Sequence, residues 1–172
     1  MNITESPLKG CFVIEPKIFG DARGFFFESF HQQKFEAAIG LPIQFVQDNQ
    51  SMSCYGVLRG LHFQKGEHAQ AKLVSVLRGE VLDVCVDIRE GSLTYGQCFK
   101  VLLSEENKKQ LFIPKGFAHG FVVLSETAEF FYKCDNPYVP EAEGGIIFND
   151  PSLKIDWMIP KDKLIISEKD QK

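Results

Sequence analysis

The strongest constraint in this sequence is a succession of short apolar runs, each broken by turn residues before it is long enough for a helix. Many short alternating runs at close intervals make a sandwich or a barrel. Strands are expected over 8–15, 24–30, 45–51, 55–64, 72–77, 81–89, 98–103, 110–113, 120–124 and 128–134. Residues 31–39 read as the one early helix, stopped by Gly40 and Pro42. The Arg78-Gly79-Glu80 break reads as a hairpin turn. After Ile159 the charged tail fits either a last helix or a surface loop. No repeat or linker interrupts the pattern, so residues 1–172 are expected to form a single domain.

Alternation assigns faces. Over 81–88, Leu82, Val84, Val86 and Ile88 share one apolar face, while Asp83 and Asp87 stand on the other. Over 128–134, Ala128, Phe130, Tyr132 and Cys134 share a face. Tyr132 is thus expected to point inward, where its hydroxyl needs a polar partner. The 16 phenylalanines, against four tyrosines and one tryptophan, agree with a sheet-rich core. A barrel with polar groups projecting inward is a ligand cavity.

A net charge of -4 argues against broad nucleic-acid binding, which needs a basic surface. It leaves room for an anionic small ligand held by a few arginines. Five scattered cysteines form no CxxC pair and no even framework, as expected of reduced thiols packed as small hydrophobes. No apolar run is long enough to span a membrane, and residues 1–8 lack the pattern of a targeting signal. A cytoplasmic protein is expected.

Two histidines stand in segments that could carry chemistry. His62 lies in Leu58-Arg59-Gly60-Leu61-His62-Phe63-Gln64, an apolar strand with a cation beside the imidazole. His119 lies in Pro114-Lys115-Gly116-Phe117-Ala118-His119-Gly120, a turn leading into a strand. A histidine in a strand is more often structural than catalytic, and His31 and His68 sit in polar surroundings. The second segment resembles the later motif of the cupin superfamily, Pro-x-Gly-x-x-His. Many cupins hold a metal with a His-x-His pair, a Glu and this later His. Here the pair reads His62-Phe63-Gln64, and an amide is a poor donor for such metals. The resemblance implies an all-β, cupin-type β-barrel (jelly roll) with a few short helices, and no metal or other cofactor.

A closer match covers nearly the whole chain. The sequence resembles the dTDP-4-dehydrorhamnose 3,5-epimerases through Asp21-Ala22-Arg23-Gly24, Gln47-Asp48-Asn49, the two histidine segments, Lys72-Leu73-Val74 and Val81-Leu82-Asp83-Val84. Further matches are Phe131-Tyr132-Lys133, Glu143-Gly144-Gly145, Phe148-Asn149-Asp150 and the run 164–170. Several motifs in the right order make the match specific. The reaction implied removes protons beside a C4 ketone and returns them from the opposite face, so it needs a base, an acid and a cation near the ketone oxygen. His62 suits the base, since an unperturbed imidazole has a pKa of about 6.5. Tyr132 suits the acid and Lys72 the cation. The resemblance implies that Asp170 orients His62.

For substrate holding, the guanidinium forks of Arg23 and Arg59 fit a pyrophosphate. The resemblance places Gln47, Asp48 and Asn49 at the nucleotide, Tyr138 against thymine, and His119, Glu143 and Lys169 in contact with substrate. It also implies a homodimer in which Arg23, Phe26 and Glu28 come from the neighbouring subunit. Asp83 is a candidate ion-pair partner for Lys72 across the expected hairpin, and a substitute for Asp170 should the latter fail to reach His62. One conflict stands: strict alternation puts Arg59 and His62 on opposite faces, unless a bulge or twist at Gly60 brings them together. Rival readings are an epimerase acting at C3 or C5 alone, a metal-dependent cupin enzyme, and a non-catalytic nucleotide-sugar binder.

Overall fold

The computed structural model describes residues 1–171. In chain order the elements are β1 (Asn2–Glu5), β2 (Phe12–Glu15), β3 (Phe19–Asp21), β4 (Gly24–Phe26), α1 (Gln32–Ile39), β5 (Gln47–Cys54), β6 (Val57–Gln64) and β7 (Lys72–Arg78). They continue with β8 (Glu80–Asp87), β9 (Cys98–Ser104), β10 (Gln110–Ile113), β11 (Phe117–Val123), β12 (Thr127–Cys134), β13 (Glu143–Gly145) and β14 (Ile165–Ile166). One sheet runs β1-β2-β10-β7-β12-β5; the other runs β13-β6-β11-β8-β9, with β14 beside β6. The sheets face each other as a cupin-type jelly roll, and their edges do not join into a closed cylinder. β3 and β4 form a separate hairpin.

The turn expected at Arg78-Gly79-Glu80 does not close a hairpin. β7 is flanked by β10 and β12, and β8 by β11 and β9, so the break carries the chain from one sheet to the other. The strand expected over 8–15 starts at Phe12, and the one over 24–30 ends at Phe26 as half of the β3–β4 hairpin. β1, β3, β13 and β14 lie outside the expected strands. The helix matches its forecast: the His31 ring accepts from the Lys34 N–H, and Gly40 ends it at φ 73°. The tail resolves into the short strand β14 and two 3-10 turns.

Three apolar layers hold the sheets. Between them lie Val74, Val76, Leu111 and Phe130 from one side and Val81, Cys85, Phe121 and Val123 from the other. Phe121 and Phe130 stack at 4.1 Å across the gap. The clean apolar face of β8 turns the other way. Leu82, Val84 and Val86 pack outward with Leu58 and Leu61 beneath Phe148 and Trp157. On the outer face of the first sheet, Phe35 and Ile39 of α1 cover Ile14, Leu73 and Phe112. Each such side chain contributes about 1.5–3 kcal/mol on burial. β8 is therefore buried on both faces, and Asp83 shares the face of Val81 and Cys85 that looks into the space between the sheets.

At the end of β8, the fully buried Asp87 carboxylate accepts from Arg89 Nε and Nη2, Ser92 Oγ and Thr94 Oγ1 at 2.6–2.9 Å. Burial alone would push this carboxyl up, but those donors win and hold it well below the usual carboxylate range. A depressed carboxyl contributes stability that is present above its unfolded pKa and lost as pH falls. Asp87→Asn should lower the urea unfolding free energy by about 2–4 kcal/mol at neutral pH. The gap to wild type should narrow as pH drops below about 4.

Candidate active site

The site is built around an irregularity in β6. In its pairing with β11, His62 faces His119 but Arg59 faces Phe121, so two residues of β6, Gly60 and Leu61, oppose the single Gly120. This is a β-bulge. Gly60 sits at φ 129°, and a Cβ there would meet the Gly120 Cα at 2.5 Å and the His119 carbonyl oxygen at 2.8 Å. The extra residue resolves the conflict left by alternation: Leu61 turns into the outer apolar layer, while Arg59 and His62 line one cavity.

That cavity, about 640 Å³, lies between the sheets and is within the range of small-molecule sites. His62, Lys72 and Tyr132 line it, together with Arg59, His119 and Asn49. Glu143, Lys169 and Asp170 close one side. A smaller adjoining lobe adds Gln47, Gln64 and Tyr138.

His62 Nε2 lies 2.6 Å from Asp170 Oδ1. With Nε2 engaged, Nδ1 is the basic nitrogen. Asp170 is buried and arrives on the last 3-10 turn, Glu168–Gln171. The turn is tethered by β14, which lies parallel to the start of β6, and by the Ile165 N–H donating to the Gly56 carbonyl at 2.8 Å. The Gly60 N–H reaches the second Asp170 oxygen at 3.4 Å, so the bulge also touches the carboxylate. Asp83 is not needed as a substitute.

Lys72 opens β7, opposite Cys134 of β12, and its ammonium lies 5.7 Å from the Tyr132 ring centre. The expected ion pair with Asp83 is not formed. Asp83 sits in the other sheet, and both its oxygens face His119 Nε2 at 2.9–3.0 Å. Burial lowers the Lys72 pKa, opposed by the negative potential of Cys134, Asp83 and Glu143. Burial also raises the Tyr132 pKa, which keeps the phenol protonated. Among the described residues no group hydrogen-bonds the Tyr132 hydroxyl. The polar partner expected for it is not found among them, and the side chain lines the cavity.

The structure brings together His62, Asp170, Lys72, Tyr132, Arg59, His119, Gln47, Asn49, Tyr138, Glu143 and Lys169. The Tyr138 hydroxyl donates to Glu143 Oε2 at 2.6 Å, and the Lys169 ammonium meets Glu143 Oε1 at 2.6 Å. Burial would raise the Glu143 carboxyl, but these two partners hold it below its ordinary value. Asp48 is not part of the group: it pairs with Lys133 on the opposite face of β5. Arg23, Phe26 and Glu28 also stand apart. Arg23 pairs with Asp21 on the exposed hairpin, Glu28 pairs with Lys34, and Phe26 is 71% exposed.

Two residues were not singled out from sequence. The buried Ser53 hydroxyl accepts from Arg59 Nε and Nη2 at 3.1–3.2 Å and fixes the guanidinium. Nothing in a polar strand residue six positions away marks it beforehand. Gln64, read only as a lost metal ligand, holds the backbone under Tyr138. Its amide donates to the carbonyls of His68 and Pro137 and accepts from the Val139 N–H.

A model of the family described as dTDP-4-dehydrorhamnose 3,5-epimerase matches residues 5–172. The Escherichia coli dTDP-4-dehydrorhamnose 3,5-epimerase is 54% identical, covering 100% of this chain and 92% of that protein. The crystal structure of the enzyme of that name from Elizabethkingia anophelis is 60% identical with a TM-score of 0.96, covering 99% of this chain and 93% of that one. A Legionella pneumophila dTDP-6-deoxy-D-glucose-3,5-epimerase, solved with dTDP-4-keto-L-rhamnose, is 54% identical with a TM-score of 0.94 over 98% and 89% of the two chains. By sequence and by fold, the chain belongs to the dTDP-4-dehydrorhamnose 3,5-epimerase family.

Proposed function

We propose that the protein epimerises C3 and C5 of dTDP-4-dehydro-6-deoxy-D-glucose, giving dTDP-4-dehydro-L-rhamnose for dTDP-L-rhamnose biosynthesis in the cytoplasm. The observation that carries this reading is the convergence of His62–Asp170, Lys72 and Tyr132 on one cavity. The C4 ketone acidifies the hydrogens on its neighbouring carbons. His62 Nδ1 takes one as the C–H electrons move into the enolate, and Asp170 stabilises the imidazolium. The Lys72 ammonium faces the developing oxyanion in a partly desolvated site, where such a cation is worth far more than in water. Tyr132 gives its phenol proton to the carbon from the other side. The chemistry is proton transfer alone and calls for no redox group or metal.

Arg59, set by Ser53, grips the diphosphate, and Gln47, Asn49 and Tyr138 receive the nucleotide. Arg23, Phe26 and Glu28 complete the site from a second copy of the chain. Arg23 and Phe26 lie on a hairpin that stands off both sheets, and Glu28 follows it by two residues, a placement that supports this assignment.

The first test is incubation with the 4-keto sugar nucleotide in deuterated buffer, read by NMR. Deuterium at both C3 and C5 is expected; deuterium at one carbon would mean a single-position epimerase. His62→Ala should lower exchange by about 10²–10⁴-fold while dTDP affinity, read by calorimetry, stays close to wild type. Tyr132→Phe should slow inversion more than exchange, and equal loss of both would remove Tyr132 as the acid. Because burial lowers the Lys72 pKa, its ammonium is lost at lower pH than that of a free lysine. The alkaline fall in kcat should therefore set in at lower pH than a free lysine's titration would place it. Arg23→Ala and His62→Ala proteins, each inactive alone, should regain activity when mixed and reassembled, because a mixed dimer holds one intact site.

A further inference from the structure

Proton accounting exposes a requirement that the four catalytic side chains do not meet. Each inversion moves one proton from carbon to His62 and one from Tyr132 to carbon. The enzyme is left with an imidazolium and a phenolate. A second inversion on the same sugar needs both reversed while the substrate still fills the main cavity.

A second cavity, of about 270 Å³, reaches His62 and Asp170 from the other side. The ion pair Glu143–Lys169 and the pair His62–Asp170 form a wall common to both cavities. Beyond this wall the lining includes Gly144, Gly145 and backbone of β6, and neither Lys72 nor Tyr132 borders it. The outer space thus touches the base and its carboxylate without touching the acid or the enolate-binding cation. Resting on the epimerase reading above, we infer that this outer cavity is the route by which His62 returns its proton to solvent between the two inversions. Water there accepts the proton from Nδ1, the nitrogen that received it, as hydronium or passes it to buffer, while Nε2 keeps its own proton on Asp170 and the neutral base is restored. The Tyr132 phenolate is reloaded separately, from its own side.

Gly145 offers the means of testing this. It lies opposite His62 in the β13–β6 ladder, so a side chain there projects on the same side as the imidazole. A Cβ at 145 would have as its nearest neighbour the Leu61 carbonyl oxygen, at 3.4 Å. At Gly144, by contrast, it would strike the Phe63 ring at 2.6 Å. Gly145→Val should partly fill the outer cavity, and Gly145→Ala should do so to a lesser degree.

The expected result with Gly145→Val is a fall in kcat for double inversion of roughly tenfold or more. KM and dTDP affinity should stay within about twofold of wild type, and singly inverted sugar should be released. Turnover would then be limited by proton departure. The isotope effect from substrate deuterated at C3 or C5 should shrink toward unity, and the solvent isotope effect on kcat should rise. Unchanged kcat overturns the outlet. So does a slower enzyme whose substrate isotope effect grows, because that marks a distorted base. If the valine variant does not fold, the alanine variant carries the same isotope test. Wild-type protein that exchanges no sugar protons would instead remove the epimerase reading itself.

Discussion

The site depends on one extra residue in one strand. Without the bulge at Gly60 the ladder between β6 and β11 would run in strict alternation, and Arg59 would leave the cavity that holds His62. The insertion fits because neither Gly60 nor Gly120 carries a side chain where the strands meet most closely. The same backbone N–H that the bulge displaces reaches the carboxylate behind the base. A local fault in hydrogen-bond register thus sets the placement of cation, base and carboxylate together. Such irregularities are common beside active sites for this reason.

Charge in the cavity is arranged rather than merely collected. Lys72, Arg59 and His119 bring positive or donor groups to one region, and each is answered by a fixed partner. Asp83 takes His119, Ser53 takes Arg59, and the Tyr132 ring takes Lys72. Ser53 and the Tyr132 ring carry no charge, so neither neutralises the cation it holds. The field therefore stays directed into the space where a diphosphate and an enolate would lie, and no reorganisation is needed when charge develops.

Much of this was legible in the sequence. Short alternating runs located ten of the strands, and the motif order pointed to the residues that meet in the cavity. What misled were features with two physical solutions. The apolar face of β8 looks like a core-facing stripe, yet it packs outward under Trp157 while Asp83 faces inward. Arg78-Gly79-Glu80 has the composition of a hairpin turn, but composition does not say whether the next strand pairs with the last or with another sheet. Asp48 lies between two site residues and for that reason points away from them. The role of Ser53 arises only from three-dimensional proximity, which one strand's pattern does not encode.

The Gln64 amide has a consequence for how this jelly roll can change. Two hydrogen bonds with one side chain hold the stretch 137–139 in place, and with it the aromatic ring that closes the nucleotide lobe, while a third ties the same amide to the His68 carbonyl. An imidazole at the same position has two nitrogens in a rigid ring and cannot make all three. Any step back toward a metal-binding pair with His62 would loosen the loop before an ion could stabilise the new arrangement. The two uses of position 64 exclude each other, so the scaffold is committed to acid–base chemistry by a residue that takes no part in it.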